Sequence, residues 1–194
     1  LNNGRPLAFP WAVDNIPAIV EAWQLGTQSG NAIAQVLYGD YNPSGKLPMT
    51  FPRNVGQLPI YYNYKSTGRP IQEKDPGVVF WSHYSDEKNA PLFPFGYGLS
   101  YSKFEYSNLQ LDKTSFSEKG KIKVSVDLKN NSEIIGKEVV QWYIRDLIGS
   151  YTRPIKELKG FEIVELKPFE TKTITFIINE KTIEFYTVNS LWEA

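Results

Sequence analysis

In Lys121-Ile122-Lys123-Val124-Ser125-Val126-Asp127-Leu128, polar and apolar residues alternate without exception. Successive side chains of a strand point to opposite faces, so this run fits a strand with one buried and one wet face and does not fit a helix. Asn130-Asn131-Ser132-Glu133 follows as a turn, rich in residues whose short polar side chains bond their own backbone. Val140, Trp142 and Ile144 then line one face of the next strand, Leu158 to Leu166 supplies another, and Thr173-Ile174-Thr175-Phe176-Ile177-Ile178 alternates again. About five or six closely spaced strands with turn signals between them predict a two-sheet antiparallel sandwich.

The first half of the 194 residues differs in kind. Residues 1–95 hold 11 of the 13 prolines but only 14 of the 42 charged residues. The shift marks two regions, an α/β segment over 1–95 and an all-β sandwich over 96–194, meeting in Pro94-Phe95-Gly96-Tyr97-Gly98-Leu99-Ser100-Tyr101. In the first region, Ile16 to Trp23 is predicted as a short helix, with Asp14 or Asn15 as its cap and Pro17 in its first turn. Ser29 caps a second helix over Asn31 to Tyr38, and Gly39 stops it. Residues 60–92 form a long aromatic stretch with little periodicity, which in a compact protein is a functional or a mobile loop.

Composition removes several classes of function. Lys plus Arg and Asp plus Glu both total 21, so no basic field attracts nucleic acid or anionic lipid. No apolar run approaches the roughly 18 to 20 residues that span a bilayer. Cysteine is absent, which excludes disulfide and zinc–thiolate chemistry, and the single histidine, His83, excludes a multi-histidine metal site. No cofactor is expected. The only methionine is Met49 and the first residue is Leu1, so the chain reads as a piece of something longer.

Two long stretches carry a resemblance. Gly26-Thr27-Gln28-Ser29-Gly30-Asn31-Ala32-Ile33-Ala34-Gln35-Val36-Leu37-Tyr38-Gly39-Asp40-Tyr41-Asn42-Pro43-Ser44-Gly45-Lys46-Leu47-Pro48-Met49-Thr50-Phe51-Pro52 is one, and Leu92-Phe93-Pro94-Phe95-Gly96-Tyr97-Gly98-Leu99-Ser100-Tyr101-Ser102-Lys103-Phe104 is the other. Glu138-Val139-Val140-Gln141-Trp142-Tyr143 and Arg153-Pro154-Ile155-Lys156-Glu157-Leu158-Lys159-Gly160-Phe161 extend it. In these motifs, and in their order, the chain resembles glycoside hydrolase family 3, most closely its bacterial periplasmic β-glucosidases. The sequence departs from the family at Phe169, where a glycine is common.

The resemblance implies the end of an α/β sandwich domain followed by a fibronectin type III-like sandwich whose last strand falls beyond Ala194. It also implies a parent that hydrolyses terminal β-linked glucosyl residues with retention, through a nucleophilic Asp and an acid/base Glu roughly 5 Å apart. Both would lie upstream of the position of Leu1, leaving this chain non-catalytic and partnered by the remaining domains of the parent. A periplasmic or secreted location follows from the same resemblance. A homo-oligomer is a further expectation, because half of an α/β domain exposes apolar surface.

The acids of the chain do not suggest a reacting pair. Asp86 and Glu87 are neighbours that point apart, Asp40 sits at a helix end, and Glu73 and Asp75 flank Lys74. His83 has no nucleophile elbow about it. The aromatic run Tyr61-Tyr62-Asn63-Tyr64 with Phe80-Trp81-Ser82-His83-Tyr84 suits stacking on the C–H faces of sugars as well as domain packing. Trp81, Tyr84 and Asp86 are the candidates for contact with a substrate or a neighbouring domain. The other function considered is a stand-alone carbohydrate-binding or adhesion module on a fibronectin-like fold.

Overall fold

The computed structural model describes residues 1–66, 68–70, 79–117, 119–187 and 192–193. They form two compact units. The first comprises Leu1–Tyr41, Gly45–Gly98 and Arg145–Glu157; the second comprises Asn42–Ser44, Leu99–Ile144 and Leu158–Ala194.

The first unit opens with extended chain. The Leu1 amine donates to Val20 O at 2.6 Å, and Ala22 N donates to Leu1 O at 2.9 Å. Bonds from one residue to two partners that flank a third are the pattern of a parallel pair, so Leu1 lies opposite Glu21 as in an α/β sheet. Helix α1 spans Pro10–Asn15, and residues 16–23 are not helical. The expected helix over Ile16 to Trp23 does not form, and Pro17 accounts for the stop of α1 before it. A proline clashes with the α conformation of its predecessor, and Ile16 sits at φ −110°, ψ 122°. Pro10, whose missing N–H costs nothing in a first turn, starts the helix instead. Helix α2 spans Ser29–Tyr38 and ends at Gly39, whose φ of 82° is the left-handed conformation that glycine adopts without strain.

The nucleus of this unit is aromatic. Phe51, 1% exposed, meets Phe9 edge-on at 5.9 Å and Trp23 at 5.7 Å, and Phe93 stacks on Tyr97 at 5.1 Å. Phe51 and Phe93 also form an antiparallel bridge. Gly98 is required by close approach, since a Cβ there would collide with the carbonyl oxygen of Gly45. Neither α1 nor α2 has a buried residue, and Leu37 and Tyr38 are 63% and 85% exposed.

The second unit is the sandwich. Its strands are β1 (Phe104–Leu111), β2 (Lys121–Asn130), β3 (Gly136–Ile144), β4 (Glu157–Leu166, its first residue lying in the first unit) and β5 (Thr171–Asn179). A four-residue helix, α3 (Glu180–Ile183), and the two-residue strands β6 (Phe185–Tyr186) and β7 (Trp192–Glu193) follow. One sheet has the order β1-β2-β5, all antiparallel, and a second pairs β3 with β4. The alternating run lies on β2, and Ile122, Val124, Val126 and Leu128 are buried as its period requires. Val126 and Leu128 pack with Ile174 of β5, Val140 of β3, and Val164 and Leu166 of β4, so both sheets contribute to one core. Trp142 stacks on Phe176 at 5.6 Å beside it.

Polar side chains close the ends of this sandwich. Asn130, fully buried, donates to Ile134 O, Leu166 O and Lys167 O at 2.8, 3.3 and 3.2 Å and accepts from Ser132 N at 3.0 Å. Tyr106 on β1 donates to Glu138 on β3 at 3.2 Å; burial, with the carboxylate beside it, pushes the phenol well above its ordinary range. Asp127 accepts from Thr173 Oγ1 at 2.6 Å and from Asn108 Nδ2 at 2.8 Å, joining β5 and the bulge of β1 to β2. These bonds hold its carboxyl below the ordinary 3.8.

Candidate functional site

The aromatic stretch is organised by side-chain-to-backbone hydrogen bonds, not by strands. It leaves Phe51 through a single 3-10 turn, Val55–Gln57, capped by Asn54. Gln57, 1% exposed, works in both directions. Its Oε1 accepts from Arg53 N at 2.6 Å, and its Nε2 donates to Lys88 O at 2.7 Å. One buried amide thereby joins the outgoing limb of the loop to the returning one. Arg53 Nε adds a bond to Ala90 O at 3.2 Å.

On the returning limb, Asn89 Nδ2 donates to Ser82 O at 2.8 Å, and its Oδ1 accepts from Tyr84 N at 3.1 Å. Ser82 N donates to Arg69 O at 2.8 Å, and the Arg69 guanidinium lies 5.7 Å from the centre of the Phe80 ring. On the outgoing limb, Tyr62 stacks on Phe95 with centroids 4.3 Å apart and planes 16° from parallel. Tyr61 and Tyr64 are exposed.

The three candidates stand in different conditions. Trp81 is half-buried, and its indole N–H is fully shielded without a hydrogen-bond partner among the described residues. An indole N–H can only donate, so it lacks an acceptor. Tyr84 is exposed along its ring, while its hydroxyl donates to Gln57 O at 3.3 Å. Asp86 is exposed. His83 Nδ1 lies 2.7 Å from Trp81 O, a local contact within the loop. Glu73, Lys74 and Asp75 lie outside the described residues.

Sequence reading missed Gln57, Arg53 and Asn89, the residues that shape the loop. A signal was present for the first of them. Asn54 and Gln57 have the N-cap and N3 spacing of a reciprocal cap. Nothing in the sequence marks the bonds from Gln57 to Lys88 or from Arg53 to Ala90, each closing more than thirty positions.

Among the described residues, no three His, Asp or Glu side chains gather as a metal centre requires. Among the described residues, two carboxyls have clearly displaced titrations, Asp127 and Glu170, and both are lowered. Glu170 is held down by the backbone N–H of Lys167, with Lys172 adding its charge. A general acid needs the opposite displacement.

The comparisons with known proteins give the family. Residues 1–101 match the glycosyl hydrolase family 3 C-terminal domain, and residues 138–194 match the fibronectin type III-like domain. The chain is 47% identical, over its whole length, to the periplasmic beta-glucosidase of Salmonella typhimurium, covering 25% of that protein. It is 45% identical to a beta-xylosidase of Formosa agariphila, over 91% of this chain and 23% of the relative. The crystal structure of a beta-glucosidase from Listeria innocua superposes with a TM-score of 0.94 at 43% identity, over 98% of this chain and 26% of that one. The chain thus spans about a quarter of the length of the relatives it matches. With the first family model matched over more than half its length, the chain belongs to glycosyl hydrolase family 3, of which it carries C-terminal domain sequence and a fibronectin type III-like domain.

Proposed function

We propose that this chain is the C-terminal portion of a retaining β-glucosidase, and that it supplies scaffold and an aromatic edge while the reacting carboxylates lie elsewhere in the parent. The observation that carries this reading is the poverty of the first unit's own core. Phe51 and Pro52 are its fully buried apolar residues among those described, and neither helix has a fully buried residue. A folding unit of this size needs far more apolar burial to stand alone. Relatives about four times longer have the chain to cover it.

Relatives named beta-glucosidase outnumber those named beta-xylosidase among the most similar, which favours a terminal β-glucosyl residue as the substrate of the whole protein. A relative named periplasmic favours a periplasmic or secreted location. In this reading Trp81, Tyr84 and Asp86 edge the leaving-group side of the sugar site. Trp81 brings a half-buried ring, Tyr84 an exposed side chain, and Asp86 an exposed carboxylate that accepts from hydroxyls.

The test is hydrolysis of an aryl β-glucoside by the purified chain. No turnover is expected, and robust turnover overturns the reading. Retention of the chain on insoluble β-glucan, without hydrolysis, would instead favour a carbohydrate-binding module.

A further inference from the structure

Between Ile144 of β3 and Leu158 of β4, the segment Arg145–Glu157 belongs to the first unit. Apolar burial does not hold its tip, where Leu147 and Ile148 are 79% and 94% exposed. Charge holds its base. The Arg153 guanidinium, 13% exposed, meets Asp146 Oδ2 at 3.1 Å and Glu157 Oε2 at 3.6 Å, so one cation ties the two ends of the segment together. Asp146 Oδ1 also accepts from Ile148 N at 3.2 Å, and the space beside Gly149 is filled by Asp146, Tyr151 and Arg153. Such a loop is packed by its own side chains, and a charge-assisted hydrogen bond from a largely shielded guanidinium is stronger than a neutral one.

The clamped segment lies against the tyrosines. Ile155 N donates to Tyr64 O at 2.9 Å, and Pro154 pairs with Lys65 in an antiparallel bridge. The Tyr61–Tyr64 run is therefore fixed at two points, by the Tyr62–Phe95 stack and by Pro154–Ile155.

We propose that Arg153 is a positioning residue for this tyrosine run: by closing the 145–157 loop it fixes the backbone from which Tyr61 and Tyr64 project. The claim deepens the reading of the aromatic stretch as a sugar-facing edge and rests on it only for its functional meaning.

The test is amide hydrogen exchange on the whole parent protein, in which the first unit is covered, and on its Arg153→Gln, Arg153→Lys and Asp146→Asn variants. Arg153→Gln is expected to speed exchange at Ile155 and in peptides covering 61–66 by roughly tenfold or more, with Val124–Leu128 of β2 unchanged. Asp146→Asn removes one of the two carboxylates and is expected to have the same pattern at smaller size. Arg153→Lys keeps a cation without the fork and falls between wild type and Arg153→Gln. Unchanged exchange at Ile155 overturns the proposal. So does equal acceleration throughout β2, which would mean a general loss of stability, and so does Lys behaving as badly as Gln. No sugar enters this experiment, so a failure to bind glucosides would sink the functional reading and leave the clamp standing.

Discussion

The side-chain amide of Asn42 donates to Ser102 Oγ at 2.8 Å across sixty positions of sequence. The same amide donates to Ile135 O at 2.9 Å, and its oxygen accepts from Ser100 Oγ at 2.8 Å and Tyr101 N at 2.9 Å. Asn42 thereby uses its full capacity within the second unit, where Asn42–Ser44 is included although the chain on either side is not. Asn42→Ala strands four partners at once and is expected to cost about 2–3 kcal/mol in urea-induced unfolding. Asn42→Asp keeps the acceptor but sets a carboxylate oxygen against the Ile135 carbonyl oxygen, so it should be destabilising as well. A shift below about 0.5 kcal/mol for the alanine variant would show that water replaces these bonds at little cost.

Phe169 offers a change in the other direction. It is the third residue of the turn Lys167–Glu170, after Pro168, with φ 58° and a bond from Glu170 N to Lys167 O at 3.1 Å. A positive φ at that position belongs to a type II turn and favours glycine. The Phe169 side chain is exposed, so little packing offsets the strain. Phe169→Gly is expected to stabilise the chain by about 0.5–1 kcal/mol, and Phe169→Val to destabilise it by about 1 kcal/mol, in thermal unfolding. A glycine variant less stable than wild type would mean that the ring packs more than its exposure suggests.

The acid limb of stability follows from Asp127 and Glu170. Folding lowers both titrations, so folding favours their ionised forms. Their contribution is fully present above the ordinary values of 3.8 and 4.5 and is lost as pH falls below them toward the lowered folded-state values. Unfolding free energy should therefore decline with acidification through this window. Asp127→Asn should flatten part of the decline while lowering stability at neutral pH. An unchanged slope in the asparagine variant would remove Asp127 from the account.

The first unit's bare apolar side chains predict association. Trp11, Leu37, Val55, Val79 and Phe80 are all exposed. Exposed apolar side chains in such number favour self-association when nothing covers them. Light scattering across a concentration series should show mass rising with concentration. A monodisperse monomer throughout would contradict the expectation.

The sandwich was legible where the chemistry is local. The alternation of 121–128 specified β2 and its inward face, and the runs near 158–166 and 173–178 located β4 and β5 to within a few residues. β1 lacked that signal, because it has no fully buried residue and carries a bulge at Ser107–Gln110. The helix expected over 16–23 is extended chain instead; the proline at 17 ends the helix before it and does not by itself start another. The aromatic stretch was legible as a candidate and illegible as a structure. Its form depends on Gln57, Arg53 and Asn89, whose partners are fixed only once distant backbone has been brought together. For the same reason, the two ends of 145–157 could not be seen to meet at Arg153, or its Ile155 to meet Tyr64.

The most direct measurement of the central claim is the intact mass of the chain after incubation with a 2-fluoro aryl β-glucoside. Such a substrate traps the glycosyl-enzyme of a retaining glycosidase on its nucleophilic carboxylate. The account predicts an unchanged mass of 22.2 kDa. A stoichiometric glycosyl adduct would place the nucleophile within these 194 residues and contradict it.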